Sequence, residues 1–408
     1  MQYIHRQLER KFMSMDGFFK AVLVTGARQV GKTTMLKHLA KEQNRNYVSL
    51  DNLAARNLAK SDPEVFFQRY TPPVIIDEVQ YAPELFSQIK IICDASNETG
   101  LFWLTGSQQY SLMKNIRETL AGRIGILELY GLSQSEKLGV YPDDDLDFSM
   151  EGLIKRAAMV PQNSIVDVFE HIWRGGLPQV QLADAEQRQI YFNTYVETYL
   201  MRDVAELGGI TDSLRFGRFL IACAALTGQQ LNYKTLADAA EITQPTAKEW
   251  LRLLQGMGIV FLLQPYMNNE LKRLTKTPKL YFTDTGLCAH LASWLTPETL
   301  MDGAASGSYF ENYVVAELKK GYAYAKNQAK LSYYRDSNAK EIDIFVETDN
   351  EIHPLEVKKS AAPDKREVKK FAVLDKTSQN RGPGGIVCLC SEVIPIDAMD
   401  CYIPCNIL

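Results

Sequence analysis

The stretch VLVTGARQVGKTT constrains this chain more than any other. An apolar, β-rich run ends at Gly26, four residues follow, and Gly31, Lys32 and Thr33 open the helical segment MLKHLAKE. A strand, a loop with glycines at those two positions and a helix start together form a phosphate cradle. Its backbone N–H groups, from Gly26 through Ala27, Arg28, Gln29, Val30 and Gly31, curl around phosphate oxygens at the positive end of a helix. Lys32 is expected to reach the β and γ phosphates and Thr33 to ligate magnesium, with Thr34 beside it in the binding stretch. The runs AVLVTG, NYVSLD, PPVIIDE, GLFWLTG and GILELY then predict a parallel sheet flanked by helices over residues 1–135.

Two later strands supply companions to the loop. PPVIIDEVQ ends in Asp77 and Glu78, about forty-five residues after the loop. There Asp77 is expected to hold magnesium through water, and Glu78 to orient the water that attacks the γ phosphate. LFWLTGSQQ ends in Ser107 and Gln108, where a polar side chain either senses nucleotide or marks a strand-end turn. Arg123, in ETLAGRIG, has two readings. It is an arginine finger for a neighbour's nucleotide if the protein assembles into an oligomer, or it is one half of a surface salt bridge. ATP and Mg²⁺ are the expected ligands.

Beyond the acidic, turn-rich stretch YPDDDLDFSMEG the pattern turns helical. LNYKTLADAAEITQPTAKEWLRLLQGMGIVFLL reads as helix, turn, helix capped by Thr243, and strand, the spacing of a winged helix-turn-helix. Lys272, Arg273, Lys276 and Lys279 make the following segment, NNELKRLTKTPKLYFTD, locally basic. They are expected to contact DNA phosphates, unless the winged helix serves protein contact. With a net charge of -4, the chain is no general polyanion binder, so contact with nucleic acid must come from local patches of this kind.

No run of eighteen apolar residues occurs, and the start MQYIHRQLERKF is charged, which predicts no membrane span, no export and a cytoplasmic protein. The seven cysteines are odd in number and scattered, against a disulfide framework. Cys388, Cys390, Cys401 and Cys405 have spacings a zinc site could use, but GIVCLC reads better as a strand with buried thiols.

Near the end, EIDIFVETDNEIHPLEVKK is a hairpin pattern. Side chains alternate between faces, so Asp343, Glu356 and Lys358 are expected to converge at its open end. Two carboxylates and an ammonium suggest a divalent metal with a polarised water, and the competing reading is a solvated hairpin with surface charges.

Taken in order, GARQVGKTT, IIDEVQ, LTGSQQ, LAGR, GGLPQ, TYVETYLMRDV, PYMNNELKRLTKTPKLYFTDTGL, FENYVVAEL, EIDIFVE and EVKKS resemble a widespread prokaryotic family of AAA-type ATPases. Members carry a C-terminal region catalogued as a domain of unknown function. The resemblance implies an α/β P-loop ATPase domain over 1–135, a helical linker region over 136–209, a winged-helix domain over 210–300 and an α/β domain like a restriction endonuclease over 301–408. In that last domain it implies a PD-(D/E)xK site. Glu311 would be the outer carboxylate, Asp343 and Glu356 ligands for Mg²⁺ or Mn²⁺, and Lys358 the residue that positions the hydrolytic water. The expected function is Mg²⁺-dependent ATP hydrolysis coupled to DNA binding or nucleic-acid cleavage. Its rival is a non-nucleolytic ATP switch that binds DNA or a protein partner.

Overall fold

A computed structural model of the chain describes residues 3–107, 116, 119–142, 145–208, 210, 212–266, 277–336, 339–349, 351–376 and 379–408. Two compact units divide it: Met1–Leu132 with Leu254–Ile259, and Ser133–Leu253 with Val260–Leu408.

In the first unit helix α1 (Leu8–Asp16) leads into strand β1 (Ala21–Thr25), and α2 (Lys32–Leu39) follows the glycine loop. Strands β2 (Asn46–Ser49) and β3 (Val74–Asp77) are separated by helices α3 (Leu53–Ser61) and α4 (Pro63–Arg69). Helix α5 (Leu85–Ala95) precedes β4 (Phe102–Thr105), and β5 (Ile124–Glu128) closes the sheet. The five strands are parallel in the order β2-β3-β4-β1-β5. β1, β3 and β4 are buried at every residue, as strands covered on both faces must be, and their sequences are accordingly continuous apolar runs rather than alternating ones. Phe12 of α1 meets the ring of Trp103 edge-on at 4.9 Å, one of the contacts that covers the sheet.

The second unit is helical before it is a sheet. Helix α6 (Ile165–Arg174) is followed further along by α7 (Tyr233–Ala240) and α8 (Gln244–Gly256), whose residues from Leu254 on count with the first unit, and then by the antiparallel pair β6 (Val260–Pro265) and β7 (Lys279–Phe282). Helices α9 (Thr285–Leu291) and α10 (Ser306–Tyr324) lead to β8 (Lys330–Arg335), β9 (Glu341–Glu347) and β10 (Glu351–Lys358). Four short strands end the chain: β11 (Asn380–Arg381), β12 (Gly384–Cys388), β13 (Ile394–Pro395) and β14 (Asp400–Pro404). All nine form one mixed sheet, ordered β13-β14-β12-β10-β9-β8-β6-β7 with β11 beside β10.

That order runs one sheet across the expected boundary between residues 210–300 and 301–408. β6 and β7 fall within the winged-helix domain expected over 210–300, and β6 pairs in parallel with β8 through Gln264–Ser332 and Pro265–Tyr333. A boundary at 300 would cut through a single sheet. The Gly-rich stretch near 303 is a turn between helices. The helix-turn-helix itself is present: Glu241 takes the left-handed turn between α7 and α8, and the Thr243 hydroxyl accepts the Thr246 N–H at 3.3 Å.

GGLPQ and FTDTGL, distant in sequence, pack on each other within this unit. Asp284 accepts the Leu287 N–H at 2.8 Å, capping α9, and the Gly176 N–H at 2.7 Å. Gly175 has φ +77, and a Cβ there would lie 2.4 Å from an Asp284 oxygen, so only glycine allows the approach. Arg188, fully buried, lies over the Trp173 ring at 3.8 Å and donates to the Gly286 carbonyl at 3.0 Å.

Candidate functional site

β1 delivers the glycine loop at its carboxyl end. Gly26 has φ +140 and its Cβ would fall 2.1 Å from the Leu129 carbonyl oxygen, so no other residue fits. Gly31 is the N-cap of α2, and Lys32 is its first residue. The Lys32 ammonium folds over the loop, donating to the carbonyls of Gly26 at 2.9 Å and Ala27 at 2.8 Å. Arg6 holds the loop from below, with one guanidinium nitrogen on the Val30 carbonyl at 2.8 Å and another on that of Tyr130 at 2.7 Å. Arg28 reaches the Tyr81 hydroxyl at 3.3 Å, while Gln29 and Thr34 are exposed.

Asp77 gathers hydroxyls at the end of β3. Its carboxylate accepts from Thr33 at 2.6 Å, from Thr105 at 2.5 Å and from Tyr47 at 3.1 Å. Burial first, and the Asp77 charge second, push the Tyr47 phenol up to about 12, which keeps it a donor. The Thr33 hydroxyl and the Asp77 carboxylate form an adjacent pair of hard oxygen ligands, the donor chemistry magnesium takes beside phosphates, so these residues fit the ion.

Glu78 adopts the left-handed conformation at φ 57, uncommon for a residue with a Cβ and a source of local strain. The Thr105 hydroxyl accepts its N–H at 3.1 Å. Its carboxylate accepts from the Gln80 amide and from Ser107 at 3.3 Å. Ser107, singled out from sequence, therefore touches Glu78, whereas Gln108 lies outside the described residues. Sequence reasoning missed Arg6, Tyr47, Thr105 and Gln80. A usable signal existed for two of them: Tyr47 and Thr105 lie on the strands flanking β3.

Arg123 is not brought to this cluster. Its carbonyl accepts the Ala21 N–H at the start of β1, so it sits at the opposite end of the sheet from the loop, roughly 15 Å along the strands at ~3.3 Å per residue. Its guanidinium grips Asp94 at 2.5 and 3.2 Å.

The second unit holds a cluster of carboxylates and ammoniums. Asp343 on β9 and Glu356 and Lys358 on β10 converge, with Lys358 Nζ 2.7 Å from Glu356 and 3.9 Å from Asp343. Glu311, on α10, joins from another side. Its Oε1 accepts from Tyr281 at 2.5 Å and from Lys279 at 2.9 Å. Lys279 also lies 2.7 Å from Glu341 and 3.9 Å from Asp343. Lys370 adds a second ammonium to Glu356 Oε1 at 2.8 Å and bridges to Glu367 at 2.6 Å.

Lys279 requires a correction. Expected in an exposed wing as a phosphate contact, it is 3% exposed and spent on carboxylates, because β7 is a sheet strand whose residues are all buried. The other three basic residues of that patch, Lys272, Arg273 and Lys276, lie outside the described residues.

Do these residues fit a divalent ion? Asp343 Oδ2 already accepts the Val357 N–H at 2.8 Å, and Glu311 Oε1 and Glu356 Oε1 each hold two donors. Glu356 Oε2 is buried with no hydrogen-bond partner among the described residues, but two ammoniums sit on its sister oxygen. Among the described residues no group of three or more His, Cys, Asp or Glu is arranged to hold a metal, the cysteines at 388–405 included. As built, the cluster does not fit one. Burial, then Asp343, push the Glu356 carboxyl up to about 7, and the same two causes raise Glu311.

A five-stranded parallel sheet with a glycine loop between β1 and α2, and an Asp-Glu pair ending β3, defines a P-loop nucleotide-binding domain. Residues 18–138 match the AAA domain, 165–298 a domain of unknown function (DUF8612), and 306–408 another (DUF4143). An uncharacterized protein of Mycobacterium tuberculosis is 28% identical over 357 residues, 87% of this chain and 74% of that protein. One of Haemophilus influenzae is 22% identical over 363 residues, 82% of this chain and 81% of the relative. Among solved structures, a Walker-type ATPase of Pyrococcus abyssi is 16% identical with a TM-score of 0.44, over 71% of this chain and 96% of that one. No helix among the described residues is long and apolar enough to cross a membrane.

Proposed function

We propose that the chain binds ATP with Mg²⁺ and hydrolyses it at the loop between β1 and α2. The observation that carries this is the Thr33–Asp77 pair, 2.6 Å apart, beside a buried lysine that opens α2. Backbone N–H groups from Gly26 to Gly31 bind the phosphates, and Lys32 swings from the loop carbonyls to the β and γ phosphates. Thr33 and Asp77 would hold Mg²⁺, which when bound neutralises phosphate charge. Glu78, released by Gln80 and Ser107, orients water toward the γ phosphate. Lys32→Ala removes a charge-assisted hydrogen bond worth about 1.5–3 kcal/mol, so ATP affinity should fall roughly 10- to 100-fold. Glu78→Gln should bind ATP and release no phosphate. Titration with a fluorescent ATP analogue and a phosphate-release assay read the two, and unchanged affinity in the Lys32 variant sinks the assignment.

For the second unit we propose the non-nucleolytic reading, a switch or binding element for DNA or a protein, because Glu356 and Glu311 already hold ammoniums and Asp343 already accepts the Val357 N–H. Lys272, Arg273 and Lys276 are the residues proposed to meet DNA phosphates. Neutralising any one of them should reduce the slope of log affinity on log salt by about 0.9. The ATPase rate with and without DNA tests the coupling, and Mn²⁺-dependent cleavage abolished by Lys358→Ala would reverse this reading.

A further inference from the structure

We propose that the ammonium of Lys279 is the resident cation of the carboxylate cluster in the second unit, in the place a divalent ion takes in metal-dependent phosphodiester chemistry. The geometry is that of a cation site. Its Nζ lies 2.9 Å from Glu311, 2.7 Å from Glu341 and 3.9 Å from Asp343. Those carboxylates come from α10 and β9, while the lysine comes from β7 and is 3% exposed. Three N–H donors and no acceptor suit an ammonium to a cage of anions, as they would suit a metal poorly as a neighbour.

The electrostatics agree with the geometry. Burial by itself lowers an ammonium's pKa, but Glu311, Asp343 and Glu341 outweigh it and Lys279 stays above its ordinary value. Tyr281 braces the same Glu311 oxygen from two residues further along β7, so strand and cage are tied together. The other half of the cluster is balanced in the same way, by Lys358 and Lys370 on Glu356. A tethered ammonium cannot diffuse away, cannot be chelated and carries no open coordination position for water.

This inference rests on the non-nucleolytic reading of the second unit, and the test separates the two. The full-length chain, without nucleotide, is titrated with Mn²⁺ and free ion followed by electron paramagnetic resonance. Wild type should show no Mn²⁺ site that Asp343→Asn weakens. Lys279→Met should gain one at least tenfold tighter, abolished again in Lys279→Met/Asp343→Asn. Should the single variant fail to fold by circular dichroism, Lys279→Met/Glu311→Gln, which removes one charge of each sign, is read for the same gain. An Asp343-dependent Mn²⁺ site in wild type overturns the proposal, as does a folded Lys279 variant that gains none. A wild-type chain without the Mn²⁺ site that still cleaves nucleic acid would uphold Lys279 as the cation and sink the non-nucleolytic reading instead.

Discussion

Thr105 shows how one side chain can set two others. Its hydroxyl donates to Asp77 and accepts from the N–H of Glu78, whose left-handed backbone needs that anchor. Thr105→Val should cost about 1–3 kcal/mol, the penalty for leaving buried partners unpaired, and should slow phosphate release more than it weakens ATP binding. Arg123→Ala should leave ATP affinity within about twofold of wild type, since Arg123 pairs with Asp94 at the far end of the sheet. Titration of ATP into the two variants distinguishes these outcomes. His171 makes a pH prediction. Burial first, then Lys137, push its pKa from 6.5 down to about 4, against the weaker pull of Glu317 and Asp167. Between those values the unfolded chain binds more protons, so this stabilisation is full above pH 6.5 and is lost as pH falls toward 4. The melting temperature should drop over that window, and His171→Gln should flatten the drop. The loop residues from Gly26 to Thr33 were legible in sequence because their spacing is local. Lys279 was not, because a lysine in a basic segment reads as surface, and only the packing of β7 on α10 shows it buried.

At the scale of elements, the packing of GGLPQ on FTDTGL joins the end of α6 to the start of α9 through Gly175, Asp284 and Arg188. Gly175→Ala combines a left-handed φ with a Cβ driven onto Asp284, and should cost about 2–3 kcal/mol. Urea unfolding should show a lower midpoint with an unchanged slope. All five parallel strands of the first unit were readable, β1, β3 and β4 because a strand buried on both faces announces itself as an apolar run. The pairing of β6 with β8 was not readable: both are only partly buried, and nothing local says that sixty-odd intervening residues return to the same sheet.

For the whole molecule, the nine-stranded sheet decides which pieces can stand alone. A fragment of residues 301–408 lacks β6 and β7, leaves the edge of β8 unpaired and strips Lys279 from Glu311, Glu341 and Asp343. It should give no cooperative thermal transition by circular dichroism, whereas residues 133–408 should, because buried carboxylates without their cation and an open strand edge both disfavour folding. The same topology bears on how the protein is made. β6 ends at Pro265 and its parallel partner begins at Lys330, so at ~5–20 residues per second the ribosome leaves that edge waiting for roughly 3–13 s. Phe261, Leu262 and Leu263 lie on the strand that waits. Codon choice between these two strands therefore sets how long a sticky edge is offered to chaperones and to other nascent chains, and slow translation there should lower soluble yield without changing a single residue.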